Sequence, residues 1–162
     1  MEKVNCVAWS DTYSVGIKLL DDQHKGLVDL VNDLFNHSTG NADEEHAYFQ
    51  EVIQQAQQYI FEHFVTEEEC MLAVNFSGYA EHKTAHDEFK LAVIKSVNEY
   101  KTGKILTLEN FANFLKDWIT SHVAIMDNQY GLYFRKIAAI KKDGKLNDIL
   151  AAIISRREKT SG

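Results

Sequence analysis

The sequence contains no proline and only two cysteines, Cys6 and Cys70, among its 162 residues. Without proline, no helix carries a proline kink and no turn is set by a proline ring, so long helices joined by short connections are favoured. A chain of this length buries a core large enough to fold without a disulfide. Because nothing in the sequence points to secretion, we expect reduced thiols and a cytoplasmic protein.

Positive charge and long apolar runs are also scarce. The 24 Asp and Glu residues outnumber the 17 Lys and Arg residues, which gives a net charge of −7. Nucleic-acid binding depends on clustered positive charge, so this balance argues against nucleic acid as a partner. The longest uninterrupted apolar run, residues 149–154, is far shorter than the roughly 20 residues that cross a bilayer. We therefore expect neither a signal peptide nor a membrane span.

What the sequence does contain is four long stretches with apolar residues three and four positions apart, the spacing of amphipathic helices. Their predicted bounds are about 19–37, 42–74, 79–103 and 107–140, after an irregular N-terminal arm. The pattern predicts an all-α fold, an up-down-up-down antiparallel four-helix bundle over about 19–140, in a single domain spanning 1–162. A short fifth helix is predicted at about 145–155, as a cap on the bundle or, less favoured, as a partner-binding helix.

Each of the four helices carries at least one histidine on its buried face, and two of them add a carboxylate four or five positions later. These residues are His24, His63 with Glu67, His82 with His86, and His122 with Asp127. One buried histidine alone is usually an ordinary core residue. Burying five imidazoles and two carboxylates together without partners would cost several kcal/mol per group, more than the whole stability of a small domain. We therefore expect positive charge among them.

A pair of metal ions suits this set better than a single ion. One zinc ion takes three or four ligands, whereas seven donors suit two ions about 3.5–4 Å apart with bridging carboxylates. His82 and His86 lie four positions apart on one helix face and could chelate the same ion. Imidazole and carboxylate ligands are compatible with iron, copper or nickel, so the residue types alone leave the element open.

The order His, HxxxE, HxxxH, HxxxxD, preceded by Trp9, Tyr13 and the run Asp22-Gln23-His24-Lys25, closely resembles the hemerythrin family, in particular its single-domain bacteriohemerythrins. The resemblance covers about Trp9 to Tyr133, and all seven ligand positions of the family pattern are filled. Residues from about 141 lie outside it. The resemblance implies a non-haem di-iron centre with an oxo or hydroxo bridge, held in a four-helix bundle, that binds O2 reversibly.

The resemblance also implies a role for each residue of the set. One iron would be ligated by His82, His86 and His122, the other by His24 and His63, and both would be bridged by Glu67 and Asp127. The second iron would then keep an open position, where O2 would be held as hydroperoxide. The implied function is oxygen storage, delivery or buffering without turnover of a substrate, so we do not expect an enzyme.

Other functions are compatible with the same residues. A sensor would pass an O2 or redox signal to a partner, with the helix at about 145–155 as the candidate output element. An enzyme would be a di-iron oxidase, a peroxidase or a nitric oxide scavenger. For a carrier, O2 is the expected partner, an unidentified protein could receive it, and the chain is expected to be a monomer or a weak oligomer.

The spacing of His122 and Asp127 leads to a local prediction. Residues five apart on a regular α-helix point about 140° apart, so both side chains can face one site only if the helix widens. We predict a π-type turn near Ile125. The apolar side chains of Ile119, Val123 and Phe64 could wall a dry O2 pocket, although ordinary core packing explains them equally well.

The remaining candidates are expected to be ordinary residues. His37 and His46 match no ligand position and are predicted at the surface. Cys70 is predicted to be a plain buried thiol, and Cys6 has no predicted role. The two glutamates that follow Glu67, at positions 68 and 69, are predicted to be solvated.

Overall fold

The computed structural model describes residues 6–103 and 107–140, together with residues 148, 151–153 and 155–156. The regular secondary structure of these residues is entirely helical. Most of the helix predicted at 145–155 lies outside the described residues, and those of its residues that are described have helical backbone. None of the described helices is long and apolar enough to cross a membrane.

Four long helical segments follow an arm that contains one 3-10 turn, Asp11–Tyr13. Three are regular helices: α1 (Lys18–His37), α2 (Ala42–Ala73) and α3 (Tyr79–Lys101). The fourth is continuous but not uniform, and consists of α4 (Leu108–Trp118), a π-helical segment (Ile119–Asp127) and α5 (Asn128–Ile140). The predicted bounds of the four helices are closely confirmed.

The starts of α2 and α4 follow from local side-chain chemistry. The Asn41 side chain accepts hydrogen bonds from the backbone N–H groups of Asp43 and Glu44 at the start of α2. The Thr107 hydroxyl accepts one from the N–H of Asn110 at the start of α4. Both side chains satisfy N–H groups that have no partner within the helix.

Two apolar clusters occupy the interior of the bundle. The large apolar cluster includes Leu34, Phe49, Val97 and Phe111, and the small apolar cluster includes Leu20, Met71, Tyr130 and Phe134. The first and third segments run from the small cluster toward the large one, whereas the second and fourth run back. Consecutive segments therefore alternate in direction, which confirms the predicted antiparallel four-helix bundle.

Hydrogen bonds and close packing tie the N-terminal arm to the bundle. The Asn32 side chain on α1 exchanges two hydrogen bonds with the backbone of Val7, at 2.8 and 2.9 Å. Farther along, a Cβ atom at Gly131 would lie 2.8 Å from Val15 Cα, so only glycine lets the arm pack this closely on α5. Near the C-terminus, Ile153 is buried in the small apolar cluster, as expected of a capping segment.

Candidate metal centre

The seven side chains singled out in the sequence meet at one layer of the bundle, between the two apolar clusters. They are His24, His63, Glu67, His82, His86, His122 and Asp127, none of them more than 3% exposed. On every helix, apolar residues of one cluster lie before this layer and residues of the other cluster lie after it. The structure therefore surrounds a polar layer with apolar packing on both sides.

The donors of this layer form two overlapping groups, and within each group the donor atoms lie within 4.8 Å of one another. The first group consists of Glu67, His82, His86, His122 and Asp127, and the second of His24, His63, Glu67 and Asp127. The two carboxylates belong to both groups, because they lie between the histidines of the first group and those of the second.

Three ring nitrogens of the first group converge on one point. His82 Nε2 lies 3.1 Å from His86 Nε2 and 3.2 Å from His122 Nε2. One oxygen of Asp127 lies 3.2 Å from the His82 nitrogen and 3.1 Å from that of His122. A shared cation accounts for this convergence, since each nitrogen can direct its lone pair at it.

Several polar atoms of the layer are buried without a hydrogen-bond partner. These atoms are His24 Nε2, His63 Nε2 and both carboxylate oxygens of Glu67 and of Asp127. An unsatisfied buried polar atom costs about 1–3 kcal/mol, and more when it is charged. Imidazole nitrogens and carboxylate oxygens are ordinary metal ligands, so a bound cation supplies the partner that the protein does not. The residues present therefore fit a metal centre.

The pKa values show how strongly the layer requires positive charge. Burial lowers the pKa of His24, but the carboxylates of Asp127 and Glu67 at 3.4 and 3.7 Å raise it to about 10. Burial also lowers the pKa of His82, but the same two carboxylates raise it to about 9. Burial lowers the pKa of His63 to about 4. The two carboxylates thus favour positive charge among the imidazoles, which a bound cation would supply.

The π-helical segment orients the donors of the fourth helical segment. It spans Ile119–Asp127, and its i to i+5 hydrogen-bond pattern places residues five apart almost one above the other. His122 and Asp127 consequently both face the layer, and their Nε2 and Oδ1 atoms are 3.1 Å apart. The predicted widening near Ile125 is confirmed, and it extends over the whole stretch between these two residues.

Hydrogen bonds on the outer side of the rings orient three of the histidines. His24 Nδ1 lies 2.7 Å from the backbone carbonyl of Tyr13 in the arm. The other two contacts join His63 Nδ1 to Gln23 Oε1 at 3.0 Å and His86 Nδ1 to Glu68 Oε1 at 3.1 Å. In each case Nδ1–H donates outward, so Nε2 presents its lone pair to the layer.

Aromatic rings support the histidines from the side of the large apolar cluster. Trp118 stacks on the His122 ring at 3.9 Å between ring centres, and Phe64 stacks on His86 at the same distance. Ile119 and Val123 are each 1% exposed. These four side chains keep water from one side of the layer and restrict the ring orientations.

Most of the minor predictions are confirmed. His37 and His46 are exposed and lie outside the layer. Cys70 is a buried free thiol, and Cys6 is exposed. Glu68, however, was expected to be solvated, and this prediction is wrong. Its side chain is only 13% exposed, because its carboxylate contacts the His86 ring at Nδ1.

Three residues beside the layer have no predicted role in the sequence. Gln23 and Glu68 each stand next to a predicted ligand, and this adjacency is the signal that could have found them. Tyr130, one helical turn after Asp127, is fully buried, and its hydroxyl has no hydrogen-bond partner. Burial, together with the charges of Glu67 and Asp127, raises the pKa of this hydroxyl well above its ordinary value.

Comparison with known proteins relates this architecture to one family. Residues 15–132 match the family model described as the hemerythrin HHE cation binding domain. A bacteriohemerythrin of Pseudomonas aeruginosa is 30% identical over 128 residues, which cover 76% of this chain and 78% of that protein. A bacteriohemerythrin of Methylococcus capsulatus is 28% identical over 120 residues, covering 74% of this chain and 88% of that protein.

Similarity extends to a protein named hemerythrin and to a solved structure. The hemerythrin of Themiste dyscrita is 26% identical over 122 residues, which cover 75% of this chain and 88% of that protein. A crystal structure of wild-type hemerythrin matches the fold with a TM-score of 0.66 at 26% sequence identity, over 78% of this chain and 95% of that chain. The sequence match and the shared bundle thus agree.

Proposed function

This chain belongs to the hemerythrin family, and we propose on that premise that it binds O2 reversibly at a non-haem di-iron centre, for oxygen storage, delivery or buffering. One observation carries the proposal: two groups of buried donors share both carboxylates, Glu67 and Asp127. Shared carboxylates are the arrangement that holds two metal ions close together.

Each donor has a role in the proposed centre. One iron would be held by His82, His86 and His122, the other by His24 and His63, and Glu67 and Asp127 would be shared by both. The first group offers five residues and the second four, so the second iron, with one donor residue fewer, would be the one at which O2 binds. When bound, the iron pair supplies the electrons on which reversible O2 binding depends.

The balance of ligand types favours a carrier over an oxidase. Five neutral imidazoles and two carboxylates bring little negative charge to the metals. Ferritin-like di-iron enzymes instead use a glutamate from each of two helices and two Glu-x-x-His pairs. A site poor in carboxylates stabilises highly oxidised iron less well, which suits binding and release of O2 rather than its activation.

The apolar side chains beside the layer limit the access of water. Phe64, Ile119 and Val123 are each 1% exposed and belong to the large apolar cluster. In a carrier, such a wall protects the reduced site by slowing its oxidation to an inert form. Because O2 is small and apolar, it needs no open substrate cleft to reach a layer enclosed in this way.

The experiment that tests the proposal is loading with Fe²⁺ without air, followed by metal analysis and visible spectroscopy. We expect two irons per chain and an absorption band that appears with O2 and disappears when O2 is removed. Steady O2 consumption, or a single irreversible oxidation, would overturn reversible binding and favour an enzyme.

Two variants on the same helix sharpen this test. His63→Ala should lose iron and O2 binding, because it removes a proposed ligand of the second iron. His46→Ala is the matched control, since its exposed side chain lies outside the layer, and it should behave like the wild type. Equal behaviour of the two variants would contradict the ligand assignment.

One observation favours a sensor as the second candidate function. Ile153, near the C-terminus, is buried in the small apolar cluster that also contains Tyr130 and Met71 next to the polar layer. In a sensor, O2 binding or oxidation at the metals would therefore change how Ile153 packs in this cluster. Limited proteolysis of the reduced and oxygenated forms tests this: a sensor should show different cleavage near Ile153, and a carrier the same cleavage.

A further inference from the structure

Two site histidines on different helices have outer partners of the same shape but different charge. His63 Nδ1 lies 3.0 Å from Gln23 Oε1, and His86 Nδ1 lies 3.1 Å from Glu68 Oε1. Glutamine and glutamate side chains are nearly identical in size, so the two contacts differ mainly in the negative charge on Glu68. In the proposed centre these histidines bind different irons, so the two metal positions are electrically unequal.

The carboxylate of Glu68 is held in place from its other side by lysines. Lys90 Nζ lies 3.6 Å from it and Lys83 Nζ 3.9 Å. Asp87 contacts the same two lysines, at 2.7 Å from Lys83 and 3.4 Å from Lys90, and is 51% exposed. Ion pairs near the surface contribute about 1 kcal/mol or less to stability. The contact of Glu68 with His86 is thus expected to have more effect on the protein than the ion pairs of Glu68 with the two lysines.

We propose that Glu68 is a positioning residue that makes the iron bound by His86 the more electron-rich of the two. Its carboxylate accepts the Nδ1–H of His86, which fixes the ring tautomer and increases electron donation from Nε2. This charge stabilises Fe³⁺ relative to Fe²⁺ at that position, whereas Gln23 leaves the other position without such a bias. The inference rests on the proposed function, because it requires iron at these donors.

The first test measures metal binding rather than O2 binding. Glu68→Gln keeps the shape and the hydrogen-bond acceptor and removes the charge. Competition for Fe²⁺ with a coloured ferrous chelator, without air, should show about 10–100-fold weaker retention in this variant, the usual effect of mutating an outer partner of a metal ligand. Asp87→Asn is the control, since it removes the same charge from the same cluster without touching His86, and its retention should stay within about twofold.

The second test measures the reduction potential of the iron-loaded protein in a mediated redox titration. Glu68→Gln should raise the potential, by roughly 59 mV for each tenfold loss in preference for Fe³⁺. The reciprocal variant Gln23→Glu places a carboxylate behind His63 and should lower the potential. It also keeps the proposal testable if Glu68→Gln folds poorly, which circular dichroism would reveal.

The outcomes separate this inference from the proposed function. Opposite shifts in the two reciprocal variants, with Asp87→Asn unchanged, support the role of Glu68. Equal shifts for Glu68→Gln and Asp87→Asn would overturn it, because any nearby charge would then suffice. If the wild type binds two irons and O2 but neither reciprocal variant changes retention or potential, this inference alone fails. If the wild type binds no iron, both fail.

Discussion

The large apolar cluster and the polar layer beside it are both fully buried, yet they are held together by opposite means. Phe49, Phe111 and Leu115 of the cluster are 0% exposed and need only complementary shapes. Glu67 and Asp127 of the layer are equally buried, but their oxygens have no hydrogen-bond partner. The packing of the cluster is complete as the chain folds, whereas the oxygens of the layer lack partners that a bound cation would supply.

This difference implies that the two regions of one helical bundle contribute differently to its stability. Burial of apolar surface supplies the stability that the polar layer lacks, since each buried CH₂ contributes about 0.8 kcal/mol. Buried polar atoms without partners in the layer cost stability, and in the proposed centre a bound metal would return it. The two regions should therefore respond differently to substitution and to metal, as the following experiments are designed to show.

The largest effect is expected from a truncation in the large apolar cluster. Phe111→Ala should lower the free energy of unfolding by about 3–5 kcal/mol, because a fully buried ring leaves a cavity. Urea unfolding of the metal-free protein measures this loss. The metal-loaded protein should lose about the same amount, and a loss that depends strongly on metal would contradict the separation of the two regions.

Metal loading should produce the next largest effect, through the polar layer. Fe²⁺ at 100–1,000 times its dissociation constant should raise the free energy of unfolding by about 2.7–4.1 kcal/mol, measured by urea unfolding without air. His122→Ala should gain less, because it removes a proposed ligand, and His46→Ala should gain as much as the wild type. Identical stability with and without metal would argue against a metal in this layer.

A smaller effect is expected where the N-terminal arm packs on α5. Gly131→Ala should cost about 1–3 kcal/mol, because the added Cβ would meet the backbone of Val15 at 2.8 and 2.9 Å. Thermal unfolding of the metal-free protein measures the change. An unchanged melting temperature would show that the arm can move aside freely.

The smallest effect is expected at the cysteines. At pH 8, iodoacetamide should modify the exposed Cys6 in the folded protein and leave Cys70 intact, because burial raises the pKa of the Cys70 thiol to about 12. Modified protein should keep its free energy of unfolding within about 0.5 kcal/mol. Peptide mapping by mass spectrometry checks the pattern, and alkylation of Cys70 without denaturant would show that the small apolar cluster opens.

Much of the fold and of the candidate site could be predicted from the spacing of residue types. The helical period of apolar residues and the absence of proline predicted the bounds of the four helices. The same period placed the histidines on the buried faces, so their convergence followed once a bundle was assumed. The five-residue spacing of His122 and Asp127 even predicted the π-helical segment, since no regular helix turns both side chains inward.

The outer partners of the histidines could not be predicted in the same way. Glu68 follows Glu67 and was expected to face solvent, because a helix turns by about 100° at each residue. That turn instead directs Glu68 toward His86 on the neighbouring helix. The side chain of Gln23 reaches His63 for the same reason, and the carbonyl of Tyr13 meets His24 only because the arm folds back. Such contacts depend on how helices pack, not on periodicity.

The sequence by itself determined the helices, their buried faces and the set of seven donors, because these depend on residue type and on the local period of the chain. Only the tertiary structure decided how the donors divide into two groups sharing Glu67 and Asp127. It also decided which residue accepts a hydrogen bond from the outer nitrogen of three of the histidine rings. The physical reason is that metal ligation and hydrogen bonding are sensitive to fractions of an ångström. Distances of that kind are set by the packing of one helix on another.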